Sequence, residues 1–331
     1  MSVVLNRRAF LGASAALCGS FAIIGKASAQ TTMTFGHGAA PGNPRTVAAD
    51  KFAELVKQKT DGAVEIRVAG SEQLGNDVAM LTSLRTGSLD FTANSQGPVS
   101  GIVPEVGALG LPFLFADAAA AFRVLDGSIG ETLAAKFDPL GIIPLSWWDN
   151  GVRQISNTKK SINVPDDLKG MKIRTPADPM TIDIFEALGA STEQIAFSEL
   201  YVALQQGVVD GQENPLANIA SAKLYEVTPY ISMSSHKWES TPFLMSKIAA
   251  ARLNEDQMKV VKEAAKEAGD LQRQLMQEAD AKYLKQFEDD KALTVNVPDR
   301  DALRKATASV YDKWQAKPFG DFVKELVAAV G

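Results

Sequence analysis

Two arginines stand where a binding site could use them. Arg153 follows Trp147–Val152, and Arg174 nears the end of Met171–Thr175, locked before Pro176. Arg153 reads as standing at the end of a buried strand and Arg174 as ending another. A planar guanidinium meets a carboxylate as a two-pronged fork, and such a charge-assisted pair is about twice as strong as a neutral hydrogen bond. Taken singly, arginines in such places are more often surface or ion-paired groups. Downstream, Phe197–Pro215 reads as a short helix capped by Ser198 and ended by Gly207. Val208-Val209 then reads as a buried strand delivering Asn214 to a loop. Nothing there is nucleophilic. The chemistry is capture by a polar rim on a rigid frame.

Enzyme templates fail in turn. The chain has no Walker loop, no G-x-G-x-x-G after a strand, no H-E-x-x-H and no G-x-S-x-G. His37 and His236 are its only histidines. His37, ending the first strand, is a candidate ligand contact, and His236 beside Trp238 reads as structural. No carboxylate spacing singles out an acid–base couple. Of Trp147 and Trp148, successive on a strand, at least one must face inward. Core is the commoner reading, and Trp148 is kept as the aromatic candidate. No cofactor and no metal is expected. A carboxylate-processing enzyme, with Arg174 only positioning its substrate, is the alternative class.

The elements that must hold these residues alternate. Thr32–Gly36, Val64–Val68 and Leu89–Thr92 read as strands, separated by helices capped at Asn43 and Asn76. Such spacing predicts parallel pairing. A further helix holds Ala121, Phe122, Val124 and Leu125, before the strand Ile142–Trp147. Past Asn150-Gly151 a second unit runs through Met171–Thr175, a helix from Asp178-Pro179, and Gln194–Phe197 as a strand. Asn254-Glu255-Asp256-Gln257 is a capping box opening a helix with apolar residues at helical spacing as far as Phe287. Its length predicts a brace between two lobes. No flexible linker divides the chain, so it is expected to cross between lobes more than once.

The first residues give an address. Asn6-Arg7-Arg8 precedes an apolar stretch, Leu11 to Ile24, of about fourteen residues, too short to span a bilayer as a helix. Ala27-Ser28-Ala29 supplies the small residues of a cleavage site. The expectation is a twin-arginine signal over 1–29, cleaved after Ala29 and leading to the periplasm. Cys18, the only cysteine, leaves with it, so no disulfide or thiolate chemistry remains. The whole chain carries a net charge of −5 and no basic run, which argues against nucleic acid and anionic membrane as partners.

Ser71–Gly75, Gly87–Phe91, Leu111–Phe113, Asn150–Gln154, Lys169–Arg174 and Phe197–Pro215 occur in an order that resembles the DctP-type solute-binding proteins of tripartite ATP-independent periplasmic (TRAP) transporters. The likeness covers nearly all of 31–331. It implies an α/β, two-lobed periplasmic-binding-protein-like fold with hinge strands and a long bracing helix. Lobe I is expected at 31–150 plus about 240–279, and lobe II at 151–239 plus about 280–331. By position, Arg174 matches the arginine that salt-bridges the ligand carboxylate, Arg153 a second cleft arginine, Phe197 an aromatic wall and Asn214 a carboxylate-holding asparagine. Ser95 and Pro98 stand where sialic-acid binders carry a glutamate and an arginine, and Ala177 replaces an asparagine. Asn94, Ser95, Gln96 and His37 are expected to meet hydroxyls or a second carboxylate. The resemblance implies a monomer that delivers a small organic acid to the TRAP membrane permease. A sugar acid such as a hexuronate or aldonate is favoured, and a C4-dicarboxylate or other small carboxylate is the alternative.

Overall fold

The computed structural model describes residues 30–331. In chain order the elements are β1 (Thr31–His37), α1 (Pro44–Lys59), β2 (Val64–Ala69), α2 (Asp77–Thr86), β3 (Phe91–Ala93), α3 (Gln96–Ser100), α4 (Ala118–Leu125), α5 (Ser128–Ala135) and β4 (Ile142–Asn157). There follow β5 (Lys172–Thr175), α6 (Pro179–Ala187), β6 (Ser191–Gln194), α7 (Phe197–Gln205), β7 (Gly211–Asn214), α8 (Leu216–Ser221) and β8 (Tyr230–Ser246). The chain ends in α9 (Lys247–Ala250), α10 (Glu255–Asp289), β9 (Thr294–Asn296), α11 (Arg300–Ala306), α12 (Ser309–Gln315) and α13 (Gly320–Val330). The expected signal peptide lies outside the described residues. No helix among them is long and apolar enough to cross a membrane.

The described strands form one sheet in the order β2-β1-β3-β8-β4-β7-β5-β6, with β9 beside β8. β1 is parallel to β2 and β3, as the helical crossovers require, and β5 is parallel to β6 and β7. The two parallel halves meet on one long antiparallel pair, β4 with 16 residues and β8 with 17. Each of these strands serves both lobes, so the chain crosses between them within a strand. Their register shifts at Pro144/Ser146, Asp149/Gly151 and Arg153/Ile155. At the middle shift Gly151 takes φ +107°, and a Cβ there would come within 3.0 Å of Met276 and Pro215. Only glycine fits the bulge.

Local signals fix several helix starts. Asn43 accepts from the Arg45 N–H at 2.9 Å, with Pro44 in the first turn, and Asn76 accepts from the Ala79 N–H at 3.0 Å. Asn254 and Gln257 close a reciprocal capping box at 2.8 and 3.1 Å. That box opens α10, whose 35 residues run about 52 Å. Val261, Ala264, Ala265 and Ala268 of α10 pack with Phe35, Phe52, Phe91, Phe243 and Trp148. Further along, Met276 and Ala279 meet Ala217 of α8, and Phe287 joins Leu200, Ile219 and Ile231. The helix therefore braces both halves. The tail divides too, with α12 against α6 and α13 against α4.

Four local expectations give way. The third strand is Phe91–Ala93, and β6 ends at Gln194, so Ile195 and Ala196 are a loop. The residue flanking α7 is Ala196. Ser198 lies inside the first turn and donates its N–H and Oγ–H to Glu72. Val209 is buried as expected, but Val208 is 47 % exposed, neither joins a strand, and the strand that follows is Gly211–Asn214. The Gly207 turn spends its next residues reversing the chain, which leaves Val208-Val209 no ladder to join.

Candidate functional site

Between the two halves lies a cavity of about 470 Å³, within the range of small-molecule sites. Arg174, Arg153, Asn214, Phe197 and Ser95 line it together. So do Arg45, Glu72, Asp77 and Asn218, which sequence reasoning missed as site residues.

Arg174 comes from β5 and is 3 % exposed. Its Nε and Nη2 both donate to the Ile195 carbonyl, at 2.9 and 2.7 Å. The Phe197 ring lies 5.8 Å from its guanidinium carbon. Among the described residues Nη1 has no protein partner and no acid pairs with Arg174. Burial, and after it the charge of Arg153, pulls its pKa down to about 10. A buried cation without a counter-ion is costly, and an entering anion relieves that cost.

Arg153 differs. It is gripped by Glu213, bidentately and through the Glu213 carbonyl, and by Glu239. Burial alone would lower its pKa, but the two carboxylates outweigh that and raise it. The same grip holds the Glu213 carboxyl well below its usual range despite burial. Asn214 donates to Gln212 at 2.5 Å and accepts from Asn218 at 3.1 Å and Arg153 at 3.3 Å. Arg153 thus anchors the junction of β4, β7 and β8.

Four expected contacts do not line the cavity. Trp148 is fully buried, 4.9 Å from Phe243 in the aromatic core, because its side of β4 faces α10. His37 is also fully buried, and its Nδ1 accepts from the Ala39 N–H at 3.2 Å. Burial, helped by Arg45, lowers its pKa to about 3, so it is neutral. Asn94 donates to the Asp77 carbonyl at 2.7 Å, and Gln96 accepts from the Ser240 N–H and Oγ, both at 3.0 Å. Asn94 and Gln96 are buried among protein partners, whereas Ser95 between them, the residue that precedes α3, lines the cavity.

Asp77 opens α2. Its Oδ2 accepts from the Ser95 N–H at 3.3 Å, and its Oδ1 is buried without a partner. Burial raises its pKa to about 6 against the opposing charge of Arg45. A hydroxyl, an imidazole and a carboxylate also fall in line elsewhere. Ser234 Oγ is 2.8 Å from His236 Nδ1, whose Nε2 is 3.3 Å from Glu213. Ser234 and His236 are fully buried and line no part of the cavity.

A parallel–antiparallel–parallel sheet, lobes bridged by two long strands and one long helix, and a cavity between them holding a cation without a counter-ion define a two-lobed ligand-capture protein. The chain belongs to the bacterial extracellular solute-binding protein family 7 (DctP), whose model matches residues 35–317. It is 62% identical over 315 residues to protein y4mM of Sinorhizobium fredii, spanning 94% of this chain but only 58% of that longer relative. It also resembles the sugar acid binding protein DctPAm of Advenella mimigardefordensis, solved with galactonate, at 33% identity and a TM-score of 0.88, over 91% of this chain and 98% of that one. A TRAP periplasmic solute-binding protein of Sulfurospirillum deleyianum, solved with succinate, matches at 31% identity and a TM-score of 0.87, over 91% and 99%.

Proposed function

We propose that this protein captures a sugar acid, an aldonate or hexuronate, and delivers it unchanged to a TRAP-type membrane permease. One observation carries the reading. Arg174 is buried in the inter-lobe cavity with no acid among the described residues to neutralise it and its Nη1 without a partner among them, which suits a ligand carboxylate. Arg153 is not available as a second carboxylate fork, because Glu213 and Glu239 already occupy it. Galactonate in one similar structure supports a sugar acid. The C4-dicarboxylate reading has one observation of its own, since Arg45 is a second cavity guanidinium without an ion-pair partner. We place the protein in the periplasm as a monomer, exported by a twin-arginine signal cut after Ala29. Lobe I comprises 31–150 and about 240–279, and lobe II 151–239 and about 280–331, with the tail helices α12 and α13 spanning the join. Nucleic acid is no partner.

A thermal-shift panel of D-galactonate, D-glucuronate, D-erythronate and succinate tests this. A sugar acid at 100 times its Kd adds about 2.7 kcal/mol of stability, several degrees in Tm, and is recovered unchanged after long incubation. No shift with any of the acids, or chemical turnover of one, contradicts the proposal.

A further inference from the structure

Arg45 sits in the first turn of α1, buried to 4 % exposure, where the helix dipole and desolvation both disfavour a cation. Its Nη2 donates to Asn150 Oδ1 at 2.9 Å and Thr241 Oγ1 at 2.8 Å, and Nη1 to the Ala93 carbonyl at 3.4 Å. These bonds tie its plane to both crossing strands. Among the described residues its Nε has no partner. Asp77 is the acid whose charge it feels most, yet the two do not close an ion pair. Both line the cavity, and Asp77 Oδ1 is a buried acceptor with no donor. Among the described residues Arg45 thus keeps an unused donor and Asp77 an unused acceptor, on two side chains that line one cavity.

We propose that Arg45 and Asp77 together read a pair of hydroxyls on the bound acid, Arg45 donating to one oxygen and Asp77 accepting from its neighbour, so that the site selects polyhydroxy monocarboxylates over dicarboxylates. A hydroxyl both donates and accepts, so a diol satisfies both side chains. A second carboxylate would suit Arg45 but lie against Asp77, with Glu72 also on the cavity wall. An acid without hydroxyls leaves both groups unmet, and sites built to bond a ligand hydroxyl reject analogues lacking it by roughly 10⁴–10⁵-fold. The inference rests on the organic-acid reading, with Arg174 holding the carboxylate.

Affinities of D-galactonate, glycolate and succinate are measured by calorimetry, with displacement for the weak acids, on the parent, Arg45→Met and Asp77→Asn. Circular dichroism monitors folding. In Arg45→Met the preference for galactonate over glycolate should fall more than fivefold. In Asp77→Asn the preference for galactonate over succinate should fall more than fivefold, because the like charge facing succinate is gone. If either ratio changes less in a folded variant, the diol reading is overturned. Should Arg45→Met fail to fold, Asp77→Asn decides alone. A parent that binds none of the three acids contradicts the organic-acid reading itself, whereas intact binding with unchanged ratios contradicts only the diol.

Discussion

At the scale of single residues, the described part of the protein spends its buried charge unevenly. Arg153 is neutralised twice over, whereas Arg174 and Arg45 are not neutralised at all. Asp149 is a third case. It accepts from the Trp238 indole N–H at 2.9 Å, and burial, with Asp280 adding to it, raises its pKa to about 7. Asp280 is itself raised to about 6 by burial, and Arg273 opposes the Asp149 shift. The folded chain keeps the Asp149 proton up to about pH 7, whereas the unfolded chain releases it near pH 4. Unfolding therefore releases a proton between those values, and stability falls as pH rises. Asp149→Asn removes this dependence. Its Tm relative to the parent should become more favourable by about 3 °C between pH 4 and pH 7.5, read by differential scanning fluorimetry across pH. A difference that does not change with pH would show that Asp149 is ionised in the fold. The sequence showed Arg174 because a strand and a proline frame it. Arg45 stayed hidden behind the Asn43-Pro44 cap, although a cation in a helix's first turn breaks a local rule and could have flagged it.

At the scale of elements, the caps at Asn43, Asn76 and Asn254 were legible because capping is decided within four residues. Pairing is decided at a distance. The sequence pattern read Ile142–Trp147 as a strand and began a second unit past Asn150-Gly151, yet β4 runs unbroken to Asn157 because β8, some ninety residues on, runs beside it through three register shifts. The middle shift is tied down from a third element. Gln272 of α10 accepts from the Asp149 N–H and donates to the Asp149 carbonyl, both at 2.7 Å. Gln272→Ala leaves both buried backbone groups unmet, at about 1–3 kcal/mol each. Urea unfolding should show a loss of about 2–4 kcal/mol. A loss below about 0.5 kcal/mol would mean that water replaces the side chain and that α10 does not pin the bulge.

At the scale of the whole molecule, two parallel half-sheets share one antiparallel pair, and α10 spans both. Alternating strands and helices announced the halves, but their fusion into one sheet was not legible, since no local pattern encodes which distant strands meet. The cavity lies where the halves face each other. The Glu72–Ser198 and Asn43–Asn218 hydrogen bonds link the two halves, and Glu72 and Asn218 both line the cavity. The central claim is that this cavity is completed by a carboxylate on Arg174. Calorimetric titration of D-galactonate into the parent and into Arg174→Ala, with circular dichroism confirming the fold, tests it most directly. Removing one partner of a desolvated pair costs about 2–5 kcal/mol, so the account predicts a roughly thirty- to several-thousand-fold loss of affinity. A folded Arg174→Ala that binds within about threefold of the parent, roughly 0.65 kcal/mol, would contradict it and place the carboxylate elsewhere.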